Sequence, residues 1–228
     1  MARKLIDISL LAKGFSAVLV VTAALLAIAG RTDYWQTWLF GGINACFALI
    51  VAAVFSHSSG LLSKRLRPGG EAKSWDRVLW GFFGPANLAI LITAGLDAGR
   101  FGWSAGYSPL IYALGYLGYV CGGALHVWSI RQNPFYISTV SIREDKGQAV
   151  VDRGPYRLVR HPGYSGIILM INSMAIALGS LWALIPSGCS TLVLILRTWL
   201  EDRALHEELS GYQDYAARVG HRLLPGIW

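Results

Sequence analysis

Charge is scarce in this sequence. Only 14% of its 228 residues are Asp, Glu, Lys or Arg, where an ordinary soluble domain carries about a quarter. Cysteine is rarer still: Cys46, Cys121 and Cys189 stand singly inside apolar stretches, without a C-x-x-C pair or a histidine at metal spacing. That pattern argues against a disulfide framework and against a metal site, and the three are expected as small buried hydrophobes. No Gly-rich dinucleotide fingerprint is present, nor any internal repeat or low-complexity tract.

Apolar residues take up the room. They make 54% of the chain, its mean hydropathy is +0.45, and they fall in blocks near the ~20 residues that cross a bilayer. The candidate spans are 14–30, 36–56, 78–98, 109–130, 163–179 and 182–199. The sequence therefore predicts an all-α, polytopic transmembrane helical bundle of about six spans. A net charge of +7 raises the question of nucleic acid. With both termini cytoplasmic and Arg197 counted at the inner end of the sixth span, 18 of the 20 Lys and Arg lie inside. The positive-inside rule accounts for that asymmetry, so no nucleic-acid partner is expected. Arg3, Lys4 and Ala27-Ile28-Ala29 have signal-peptide features, but the first span is expected to be a retained helix.

The chain reads as one membrane domain, 1–228, with a four-span helical scaffold over 1–130 and a more polar, more patterned part over 131–228. The inner loop 57–77 is basic and reads as a surface connector facing anionic lipid. Pro85 and Pro186 are expected to kink their spans. Residues 203–228 form an amphipathic tail that Gly211 can interrupt, with Tyr212 and Trp228 suited to the membrane–water interface. Such a tail either holds the C-terminus to the membrane or covers a cytoplasmic site.

One segment is sharply polar: DRGPYRLVRHPGYSG, 152–166. Pro162 suits the first turn of a helix. From it to Gly179 is 18 residues, roughly 27 Å of helix. Gly179-Ser180 can turn the chain, and Leu181 to Trp199 returns over a similar distance. Such a hairpin brings Arg197, Glu201 and Asp202 to the level of Arg160, His161 and Tyr164. A helix start with Arg157 and Arg160 favours an anion, while Glu201 and Asp202 offer carboxylates to a cation or a sugar diol. Gly163 and Gly166 permit close approach of a ligand or a helix. S-adenosylmethionine carries every group that such a mouth would hold.

The stretches GPYRLVRHPGYSG (154–166), LEDRAL (200–205) and GYQDYAARVGHRLLPGIW (211–228) resemble the isoprenylcysteine carboxyl methyltransferase and phospholipid methyltransferase group of integral membrane enzymes. The resemblance covers roughly residues 130–228 and implies S-adenosyl-L-methionine as cofactor, with 131–228 as the cofactor-binding core. It implies a cofactor pocket of Tyr156, Arg160, His161, Pro162, Tyr164, Gly166, Glu201 and Asp202, and a catalytic set of Arg160, His161 and Glu201. Where the family has a Glu-Glu pair this chain has Glu201-Asp202, and where relatives often have a histidine it has Gln148. Arg131 and Asn133-Pro134-Phe135 resemble the family's opening of this segment.

The reading implied is a multi-pass membrane methyltransferase, in the inner or plasma membrane if the source is bacterial, with its active site toward the cytoplasm. Its acceptor would be a lipophilic small molecule or lipid from the bilayer: a prenylcysteine carboxylate, a phospholipid amine or a thiol. His126, Asn172 and Arg197 are candidates to touch that acceptor; intramembrane polar groups invite such a role, and helix packing is the alternative for the first two. No protein partner is evident. An NADPH-dependent reductase of sterol-reductase type and a non-catalytic protein on the same scaffold are the alternatives.

Overall fold

In the computed structural model the described residues are 8–55, 72–104, 106–142 and 147–228. The basic connector at 57–77 lies mostly outside them, as do Arg3 and Lys4. Among the described residues the protein is all helical. The helices are α1 (Ile8–Ala29), α2 (Trp35–Val54), α3 (Ser74–Ala94), α4 (Pro109–Gln132), α5 (Pro162–Ala177), α6 (Leu184–Glu208) and α7 (Tyr212–Arg218). A π-helical turn, Gly95–Phe101, continues α3, and a single 3-10 turn, Gly154–Arg157, precedes α5.

Four of these are long and apolar enough to cross a membrane: Ile8–Ala29, Trp35–Val54, Ser74–Phe101 and Pro109–Gln132. Their outward faces stay apolar, with Leu19, Phe82, Leu110 and Leu114 all more than half exposed. A surface of that kind suits contact with lipid. Trp35, Trp38, Trp103 and Trp182 lie exposed together at one end of the bundle, as the aromatic belt at a bilayer interface does. Cys46, Cys121 and Cys189 are exposed on α2, α4 and α6, which corrects the expectation of burial. Lipid tails are as apolar as a protein core, so a small apolar side chain has no drive inward.

The tightest seam joins α4 to α5. A Cβ on Gly122 would lie 2.6 Å from the Gly166 carbonyl oxygen, one on Gly166 equally close to that of Gly122, and one on Gly115 2.7 Å from the Ala177 nitrogen. Gly118 and Gly122 make the G-x-x-x-G spacing that lets membrane helices meet backbone to backbone. Just past the end of α5, Gly179, with φ at 82°, turns the chain as expected. Asp97, wholly buried on the π-helical turn, locks that bend by accepting from Ser104 N–H, Ser104 Oγ and Ser180 Oγ, each at 2.6 Å. Asn172 spans the hairpin, its Nδ2 donating to Thr191 Oγ1 at 2.8 Å and its Oδ1 accepting from Ser187 Oγ at 3.1 Å.

Pro85 is inside α3 as expected. Pro186, by contrast, falls in the first turn of α6, where its missing N–H leaves nothing unpaired. The tail does break at Gly211, with φ at 77°, leaving α7 only one to two turns long. Tyr212 does not lie at the interface but is buried, for a reason that the site supplies.

Candidate functional site

The start of α5 and the end of α6 meet as the hairpin argument requires, and the tail and residues 133–142 and 147–151 close around them. Together they line an open cleft with about 860 Å3 of space free of protein atoms, its mouth and the solvent there included. Its wall includes Tyr136, Tyr156, His161, Tyr164, Glu201 and Tyr212.

Glu201 and Asp202 are adjacent and serve different places. Asp202, 1% exposed, is a hub behind the wall. Its Oδ1 accepts from Arg160 Nε and from Tyr212 OH, both at 2.8 Å, and stands 3.3 Å from His161 Nε2. Its Oδ2 accepts from Arg160 Nη2 at 2.9 Å and from Arg222 Nε at 2.8 Å. Burial disfavours the charge, yet the hydrogen bonds from His161 and Arg160 outweigh it and hold the carboxyl well below the usual carboxylate range. With so many donors, little of its lone-pair capacity is left for a ligand. Glu201 instead lines the cleft and accepts from Tyr164 OH at 2.5 Å.

The same hub fixes the tail. Arg160 N–H donates to the His221 carbonyl and His161 N–H to the Arg222 carbonyl, each at 2.9 Å. Arg160 Nη1 reaches the Val219 carbonyl at 2.8 Å, and Ser165 Oγ the Leu223 carbonyl at 2.6 Å. Tyr215, also in the wall, donates to the Tyr156 carbonyl at 2.7 Å. Tyr212 is buried because its hydroxyl ends on Asp202.

Opposite the tail, residues 138–140 are stitched to the start of α3. Asp76, fully buried, accepts from Val140 N–H at 2.8 Å and from Arg197 Nε at 2.7 Å. Arg197 also donates to the Ser138 carbonyl at 2.6 Å, with its guanidinium 4.9 Å from the Trp80 ring and 5.1 Å from the Tyr164 ring. Burial, partly offset by Arg197, pushes the Tyr136 phenol up to about 12, so it stays protonated and neutral.

Of the residues expected at the cofactor, Tyr156, Arg160, His161, Tyr164 and Glu201 line the cleft, while Pro162, Gly166 and Asp202 do not. Gly166 lies against α4. Among the acceptor candidates, Arg197 is held by Asp76, Asn172 bridges α5 and α6, and His126 stands behind Gly163 and Tyr136. Arg157 is exposed outside the wall. Sequence reasoning missed Asp76, Tyr136, Tyr215 and Arg222. Asp76 carried one signal, an acid in the first turn of an apolar helix. The other three depend on long-range contacts.

Hydropathy, helical architecture and exposed apolar faces define an integral membrane protein with an open cleft at one end of the bundle. In a solved structure of a eukaryotic intramembrane Ras methyltransferase, isoprenylcysteine carboxyl methyltransferase, the same fold recurs: TM-score 0.56, 18% sequence identity, covering 92% of this chain and 74% of that one. The model of the phospholipid methyltransferase family matches residues 110–210, from α4 to just past α6. Over that segment the chain is similar to the phospholipid methyltransferase family. No protein of curated function matches the chain by sequence.

Proposed function

We propose that the protein transfers a methyl group from S-adenosylmethionine to a small lipophilic or lipid-linked acceptor, in a site that faces the cytoplasm and is built by residues 131–228. The observation that carries this is the cleft itself: a carboxylate, Glu201, among tyrosine rings at the start of α5. A sulfonium or ammonium is attracted by a carboxylate and by the faces of aromatic rings. A helix start suits the ligand's own carboxylate, and Val140, Ile142, Val150 and Leu205 give an apolar wall for a purine. The donor set thus fits the cofactor.

Tyr156, Tyr164, His161 and Glu201 would hold it, with Arg160 and Asp202 keeping the wall in shape. The bound cofactor supplies an activated methyl group, so these residues chiefly bind, align and exclude water. The acceptor would enter from the bilayer: a prenylcysteine carboxylate, a phospholipid amine or a thiol.

Calorimetric titration of the detergent-purified chain with S-adenosylhomocysteine, with NADPH in parallel, tests the reading. Saturable binding of S-adenosylhomocysteine alone supports it; binding of NADPH alone, or of neither, overturns it.

A further inference from the structure

His126 lies on α4, four residues past Gly122 and on the seam with α5. Its Nδ1 is 3.2 Å from the Gly163 carbonyl oxygen. A carbonyl only accepts, so Nδ1 carries the hydrogen and the lone pair is left on Nε2. Nε2 makes no hydrogen bond among the described residues, and the half-buried imidazole makes no ion pair there either. The ring stands edge-on to Tyr136, centroids 5.9 Å apart and planes at 78°. Tyr136 and Gly163 both line the cleft. His126 therefore presents an unengaged, oriented base behind two cleft-wall residues, on a helix whose Leu117 and Val120 face the lipid.

The nearby cations are otherwise engaged. Arg160 is committed to Asp202 and the Val219 carbonyl, Arg197 to Asp76 and the Ser138 carbonyl. A carboxylate acceptor wants a guanidinium fork and needs no base. An amine or thiol needs the reverse.

Resting on the methyltransferase reading, we propose that His126 is the general base for an acceptor that arrives carrying a proton, an amine or a thiol, on the membrane side of Tyr136 and Gly163. The acceptor's N–H or S–H bond breaks, the proton goes to Nε2, and the electron pair left on nitrogen or sulfur forms the bond to the donated methyl carbon. The carbon–sulfur bond of the donor breaks with its pair going to sulfur, and the imidazolium then returns its proton to water.

Two measurements test this. In the first, the detergent-purified full chain is treated with diethyl pyrocarbonate, which acylates unprotonated imidazole, and the modified histidines are mapped by mass spectrometry. His126 is expected to react, and to be protected several-fold by dodecanethiol or dodecylamine but not by dodecane or dodecanoate. An inert His126, or equal protection by all four, overturns the proposal whether or not the cofactor reading stands. In the second, His126→Gln is expected to bind S-adenosylhomocysteine as the wild type does while its methylation of the same thiol or amine falls roughly 100-fold. Unchanged turnover in that variant, or methylation of dodecanoate in preference to both, sinks the assignment of His126 while leaving the methyltransferase reading intact. Failure of the wild type to bind S-adenosylhomocysteine sinks both.

Discussion

Adjacent residues on a helix point about 100° apart, and that angle separates Glu201 from Asp202. One carboxylate enters the cleft; the other is spent on Arg160, Tyr212 and Arg222. Glu201→Gln is expected to weaken S-adenosylhomocysteine binding by about ten- to a hundredfold, the range for a hydrogen bond to a charged group, with the melting temperature little changed; calorimetry and a thermal melt check both. Asp202→Asn is expected to act on the fold instead, destabilising it by roughly 3–5 kcal/mol because Arg160 loses its buried partner. The pH dependence has a definite sign. A carboxyl depressed in the folded state stabilises fully above its unfolded value, about 3.9, and that contribution is lost as pH falls below it. Melting temperatures of the wild type are therefore expected to drop below about pH 4, and the difference from Asp202→Asn to narrow there. A constant difference across that window would remove Asp202 from the account.

At the scale of elements, the α4–α5 seam governs how the cleft is held, because Gly163 and the first turn of α5 take their place from it. Gly122→Leu would drive a side chain into the Gly166 carbonyl; overpacking of this kind costs about 1–3 kcal/mol. Lowered thermal stability in detergent is expected, with a larger loss of S-adenosylhomocysteine affinity than for Gly188→Leu, where a Cβ meets nothing within 4 Å. The hairpin from Pro162 to Trp199 was legible from two turn signals and the 1.5 Å rise per residue. Where the basic side chains go was not. Arg160 and Arg197 read as mouth residues, and both end on buried acids, Asp202 and Asp76, since a charge withdrawn from water must be paired.

For the whole molecule, the exposed apolar belt and the tryptophans at one end suit a bilayer, and the proposed orientation, with the cleft toward the cytoplasm, rests on the positive-inside count. In a variant without Cys46, Cys121 and Cys189, Ser108→Cys in oriented vesicles is expected to react with a membrane-impermeant maleimide from the outer side, and Gln213→Cys from the inner side alone. The reverse pattern would invert the proposed orientation.

By itself the sequence determined the class of protein, the helices and the hairpin, because hydropathy, helical rise and turn residues are local properties. It also marked the segment around Arg160, His161 and Glu201. Tertiary structure alone decided which polar groups face the cleft and which serve the frame. That depends on pairings across 42 residues for Arg160–Asp202 and 121 for Arg197–Asp76, where each buried charge is committed to the partner that offsets its loss of water.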